Sequence, residues 1–97
     1  MNKTEHLLTC LIEECAEIQK AAAKALRFGL DDHAPDGPEI TNSMSIAYEC
    51  ADLLAIIEML ESENIIPPPM KPQLIQMKKD KIVKYMGYAK ERGTISD

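Results

Sequence analysis

The chain is expected to be all-α: a helical bundle of three main helices per chain, completed by homo-oligomerisation. Three observations predict this. Apolar residues recur at helical spacing in three segments, and no segment alternates as a half-buried strand does. Clusters of Gly, Pro and Asp punctuate the boundaries between those segments. The apolar residues of the middle segment also spread over more than one face, which calls for burial between chains.

The first helix is expected from about Lys3 to Phe28. Leu7, Leu11, Ile18, Ala22 and Ala25 keep an apolar stripe, and the residues from Lys20 to Leu26 are nearly all strong helix formers. Gly29 is the natural stop. The loop from Leu30 to Thr41 has no periodicity and carries Asp31, Asp32, Pro35, Asp36, Gly37 and Pro38. A second helix is expected from Asn42 or Ser43, either of which can cap it, to about Glu63. Ile46, Cys50, Leu53, Ile57 and Leu60 form its main stripe, broadened by Ile56 and Met59. Pro67, Pro68 and Pro69 then break the helix and stiffen the connection. A third helix is expected from about Pro72 to Glu91, with Leu74, Ile75, Ile82, Val83 and Met86 inward and Gly93 ending it.

Length and composition bound what such a chain does. Its 97 residues suit one domain, 1–97, with a modest core. With no Trp and 4% aromatics, that core must be aliphatic. No stretch approaches a membrane span, and residues 1–6 lack the layout of a signal peptide, so a cytoplasmic location is expected. Cys10, Cys15 and Cys50 form no CxxC pair and are expected to be reduced, buried and inert. A net charge of -5 argues against a nucleic acid polymer as partner. The charge is uneven: Lys71, Lys78, Lys79, Lys81, Lys84, Lys90 and Arg92 gather near the C-terminal end.

The chemistry-bearing pattern is a pair of acidic motifs, Glu14-x-x-Glu17 and Glu49-x-x-Asp52. Residues three apart share a helix face, so each motif presents two carboxylates side by side. They interrupt apolar stripes: Glu14 lies among Leu7, Cys10, Leu11, Ile18 and Ala21, and Glu49 among Leu53, Ile56 and Leu60. Carboxylates there need compensation. Two facing pairs make a cage of hard oxygen ligands suited to Mg²⁺, with Mn²⁺ as the alternative. Acidic helix faces that merely reach water are the plainer explanation of either motif alone. No P-loop, nucleophilic triad or zinc spacing is present.

With Glu13 included, Glu13-Glu14-x-x-Glu17 followed by Glu49-x-x-Asp52 resembles the EExxE…ExxD signature of the MazG-like all-α nucleoside triphosphate pyrophosphohydrolases. The run from Lys24 to Gly29 is similar to the end of the first helix in small bacterial and phage members. The last helix, with Lys81, Lys84 and Tyr85, looks like their phosphate-contacting helix. The resemblance implies a Mg²⁺-binding homodimer or homotetramer that splits a nucleoside triphosphate into monophosphate and pyrophosphate. It implies Glu14, Glu17, Glu49 and Asp52 as metal ligands, and the host cytoplasm as location if the chain is phage-encoded. The chain departs from the pattern in its long gap between Glu17 and Glu49. It also lacks an Asn about two turns after Asp52, where Met59 and Leu60 stand.

Hydrolysis at phosphorus needs a nucleophilic water, charge neutralisation and a stabilised leaving group. One of the four ligand carboxylates, or Glu13, would take the proton from that water. Lys24, two turns along the stripe of Glu17, would meet the outer phosphates, with Lys20 and Arg27 flanking it. Lys81 and Lys84 would clamp the pyrophosphate, and Tyr85 or Tyr88 would stack on a base or pack at a helix interface. His33, in the loop, would stack on a base or have no role, the second being favoured, and His6 is expected to be exposed at the start of the first helix. Two rival readings keep the fold without the reaction: a helical homo-oligomer that binds a nucleotide or metal without turnover, and a structural, partner-binding bundle.

Overall fold

The computed structural model describes residues 1–67 and 72–96. It contains α1 (Lys3–Phe28), α2 (Asn42–Ser62) and α3 (Pro72–Glu91), and no strand among the described residues. The expected stiffening at the proline run, apart from Pro67, lies outside the described residues, as does Lys71.

α1 starts at a capping box. The Asn2 side chain accepts from Glu5 N at 2.8 Å, and Glu5 Oε1 accepts from Asn2 N at 3.3 Å. It ends at Gly29, whose φ of 98° lies in the region that only glycine enters at little cost. The cap of α2 differs from the expectation. Thr41 is the N-cap, its hydroxyl accepting from Met44 N at 3.2 Å, while Asn42 and Ser43 are already helical. The side chain of Asn42 instead donates to the Gly29 carbonyl at 2.8 Å, tying the ends of the two helices together.

α1 and α2 form an antiparallel hairpin. Lys3 and Glu63 meet at 2.6 Å at one end, and the loop 29–41 closes the other. The ion pair is exposed on both sides and contributes little. The hairpin is held by apolar burial: Leu60 is 1% exposed, Leu7 4% and Ala21 7%. Leu11, Ile18, Ala25, Ile46, Leu53, Ile56 and Ile57 are half-buried around them, while Ala22, Cys50 and Met59 are exposed.

α3 packs against neither of the other helices, so the three do not form a bundle within one chain. None of its residues is buried. Leu74, Ile75, Ile82, Val83 and Met86, the residues expected inward, are all exposed in the single chain. The shape reflects this. The radius of gyration is 16.8 Å, against about 13 Å for a compact chain of about 100 residues. The cysteines are free, as expected, but not buried: Cys10 is half-buried, and Cys15 and Cys50 are exposed. No helix is long and apolar enough to cross a membrane among the described residues.

Candidate functional site

The hairpin brings the two acidic motifs face to face. Glu14 from α1 and Glu49 and Asp52 from α2 each offer a carboxylate oxygen, all within 4.8 Å of one another. Helical spacing on each side makes this possible: Glu49 and Asp52 are one turn apart, and antiparallel pairing sets them opposite Glu14. Glu14 and Glu49 are half-buried and Asp52 is exposed. Glu17 lies beside the cluster and outside this tight set. The four-carboxylate cage of the sequence is therefore three carboxylates with a fourth adjacent. Glu13, the remaining acidic residue of the first motif, is exposed.

No described residue forms an ion pair that neutralises the cluster: no Lys, Arg or His pairs with Glu14, Glu49 or Asp52. Desolvation pushes the Glu14 carboxyl above its ordinary value, and the charges of Asp52, Glu49, Glu13 and Glu17 push the same way. Three hard oxygen donors, mutually repelling and without a protein counter-ion, fit a divalent cation such as Mg²⁺ or Mn²⁺.

A pH dependence follows from Glu14. Its folded value lies above its unfolded one, so between the two the native state holds more protons than the unfolded chain. The metal-free protein is expected to lose stability as pH rises from the ordinary carboxylate value through the raised one. Glu14→Gln should flatten that part of the profile, because the titrating group is gone. Thermal unfolding in chelator across pH 4–7 checks this, and a profile that Glu14→Gln leaves unchanged would contradict it.

A cleft of about 210 Å³ runs from Glu49 along the hairpin, lined also by Glu17, Lys20, Ala21, Lys24, Asn42 and Ser45. Lys20 and Lys24, one turn apart on α1, bring two cationic side chains to the cleft that Glu49 of the acidic cluster also lines. Glu17, Glu49, Lys20 and Lys24 are among the residues expected at the site from their spacing. Asn42 and Ser45 carry no sequence signal as cleft residues, because only the packing of α2 on α1 brings them to the cleft. The amide N–H groups of the first turn of α2 are unavailable to a ligand. Asn42 N donates to Asp32 O at 2.8 Å, Ser43 N to Leu30 O at 2.9 Å, and Ser45 N to Thr41 O at 3.0 Å. With Met44 N held by Thr41, an anion here must be met by side chains.

The remaining expected site residues lie elsewhere. Arg27 is exposed, with its guanidinium 4.8 Å from the centre of the Phe28 ring. Lys81 and Tyr85 line a separate groove of about 380 Å³ formed by α3 and the returning C-terminal segment at Ile95. Lys84 is exposed on the same helix, 5.9 Å from the Tyr85 ring centre. Because α3 touches neither α1 nor α2, a single chain does not bring these three residues to the carboxylates.

No family model, no curated protein and no solved structure matches this chain. Its function is therefore read from the chemistry of the cleft.

Proposed function

We propose that the chain is a Mg²⁺-dependent nucleoside triphosphate pyrophosphohydrolase of the MazG-like kind, working as a homo-oligomer. The observation that carries this is the uncompensated convergence of Glu14, Glu49 and Asp52 at one end of a cleft whose other wall is cationic. A phosphate chain needs that alternation. The acidic cluster repels phosphate unless a cation intervenes, while Lys20 and Lys24 attract it directly.

In this reading Glu14, Glu49 and Asp52 hold the metal. When bound, Mg²⁺ supplies charge neutralisation at phosphate oxygens and acidifies a coordinated water. Glu17 is half-buried, lines the cleft and stands outside the tight cluster. On this reading Glu17 would take the proton from the attacking water, the position outside the tight cluster supporting that role over metal ligation. The water oxygen bonds to phosphorus, the α–β anhydride bond breaks, and pyrophosphate leaves with its new negative charge facing Lys20 and Lys24. Ser45 and the lysines orient the phosphates in place of the occupied helix amides.

The oligomer rests on the solvent-facing apolar surface of α3 and the small core of the hairpin. Burying a leucine contributes about 1.5–3 kcal/mol, whereas fixing each residue's backbone costs roughly 1–2 kcal/mol. The fully buried core described is two leucines and one alanine, ringed by half-buried apolar residues, which is little burial for a chain of this length. A second copy covering α3 supplies the missing burial. It is also the means by which Lys81, Lys84 and Tyr85 would meet a carboxylate cluster. Sedimentation at micromolar concentration should show a dimer or tetramer, and a compact monomer would contradict the assembly.

The decisive experiment is a panel of ribo- and deoxyribonucleoside triphosphates, with Mg²⁺ and with chelator, scored for products. Equal amounts of monophosphate and pyrophosphate, absent in chelator, are expected. Metal binding without product would instead identify a sequestering protein.

The lysines separate two placements of the phosphates. Lys24→Ala is expected to raise KM and lower kcat by about 10-fold or more, since leaving-group charge grows in the transition state. Lys81→Ala and Lys84→Ala should have comparable effects if α3 of a second copy closes the site, and Lys90→Ala little. Equal, negligible effects at Lys81, Lys84 and Lys90 would confine phosphate binding to α1.

A further inference from the structure

Adjoining the cleft is a second cavity of about 340 Å³, which Lys24 and Asn42 also line. Its other walls come from Phe28, at the last turn of α1, and from Asp32, His33, Ala34 and Pro35 of the loop. The character changes across the shared residues, from ammonium, carboxylate and hydroxyl groups on one side to an aromatic ring and a proline on the other.

Phe28 is the only Phe of the chain and is 54% exposed. An exposed ring at a helix end gains nothing from the core. One contact it does have is the Arg27 guanidinium, and its exposed surface lines the cavity. The loop opposite is held in place. Asn42 N and Asn42 Nδ2 fasten it to Asp32 O and Gly29 O, both at 2.8 Å, and Ser43 N holds Leu30 O at 2.9 Å. Gly37 N donates to Ala34 O at 3.2 Å, closing a turn that sets Ala34 and Pro35. The cavity thus has a flat aromatic wall and a preformed loop wall, with an acceptor-only carboxylate, Asp32, at its edge.

We infer that this second cavity holds the nucleobase of the nucleotide, stacked on Phe28, with the phosphates running back past Lys24 toward Glu49. The inference rests on the phosphate placement proposed above and adds the part of the substrate that placement leaves unassigned. The order of groups matches a nucleotide: the carboxylate cluster at Glu49, then Lys20 and Lys24, then the Phe28 ring, in two cavities that share Lys24 and Asn42 as walls. Stacking on a ring tolerates every base, so Phe28 supplies affinity for a nucleobase as such. Asp32 can accept hydrogen bonds from base N–H groups but cannot donate.

The test is metal-free binding, which does not depend on turnover. Nucleoside 5′-monophosphates and ribose 5-phosphate are titrated onto the full chain in chelator, by calorimetry. The monophosphates should bind about 5-fold or more tightly than ribose 5-phosphate, the lower end of what one base–aromatic stack contributes. Phe28→Ala should erase that margin without weakening ribose 5-phosphate, and Phe28→Trp should restore it. Mn²⁺ binding, read by paramagnetic resonance, should be the same in all three proteins. Phe28→Ala replaces an exposed helix-end residue with a strong helix former, so the fold is expected to survive. Equal binding of monophosphate and ribose 5-phosphate by the wild type, or an unchanged margin in Phe28→Ala, overturns the inference. Absence of pyrophosphate release from triphosphates with the stacking margin intact would instead overturn the catalytic reading and leave the base site standing.

Discussion

Glu49→Gln is expected to abolish pyrophosphate release while leaving the helices formed. Glu49 is shared by the three-carboxylate cluster and the cationic cleft, so it touches both halves of the site. Loss of a group that merely orients a metal ligand costs about 10–100-fold, and loss of a ligand should cost more, at least about 100-fold. Glu14→Gln and Asp52→Asn should behave alike. Glu17→Gln should also remove turnover, but if Glu17 takes the proton rather than holding the metal, Mn²⁺ binding should persist in that variant alone. Stability gives a second readout. At a metal concentration 100 times its Kd, a bound ion stabilises the native state by about 2.7 kcal/mol. Wild type should show that gain and Glu49→Gln should not. In chelator at neutral pH the order should reverse, with Glu49→Gln at least as stable as wild type, because one of the charges pressing on Glu14 is gone. Wild-type turnover by Glu49→Gln at saturating Mg²⁺ would refute the metal site.

Leu60→Asp is expected to unfold the chain. Leu60 is the most completely buried side chain described, at 1% exposure, and its carbonyl accepts from Ile65 N at 2.9 Å where α2 ends. The substitution removes about 2–3 kcal/mol of apolar burial and places an unpaired carboxylate in the hairpin, at a further cost of several kcal/mol. Domains of this size have roughly 5–15 kcal/mol in total. Ile57→Asp should act in the same direction and more weakly, since Ile57 is only half-buried. Leu26→Asp is the control: at 89% exposure it should shift the hairpin's own stability by no more than about 0.5 kcal/mol. Helical circular dichroism through a urea titration checks all three, and a cooperative transition in Leu60→Asp near that of wild type would contradict the core drawn here.

The helices were legible because their determinants are local. Gly29 and Gly93 stop α1 and α3 where positive φ is required, and the values are 98° and 76°. The cap of α2 lies at Thr41, one or two residues before the expected Asn42 or Ser43, since all three are competent caps. The choice was made by a contact distant in sequence, the Asn42 side chain on Gly29 O. Burial of the cysteines was misjudged for a related reason. A small apolar residue in a helical stripe is buried only if a neighbour covers it, and Cys15 and Cys50 have none in the single chain.

The candidate site divides along the same line. Spacing alone put Glu14 with Glu17 and Glu49 with Asp52 on their respective helix faces, because a helix fixes which residues are neighbours at three and four positions. It also set the acidic character of the first two helices against the basic character of the third. Spacing holds no information about distances between helices. Only the hairpin decided that Glu14 meets Glu49 and Asp52 within 4.8 Å while Glu17 lines the cleft with Lys20 and Lys24. Only the fastened loop made a cavity from Phe28 and Pro35. The position of α3 likewise depends on what its apolar face is packed against, and an apolar stripe specifies that it must be covered without specifying by which surface.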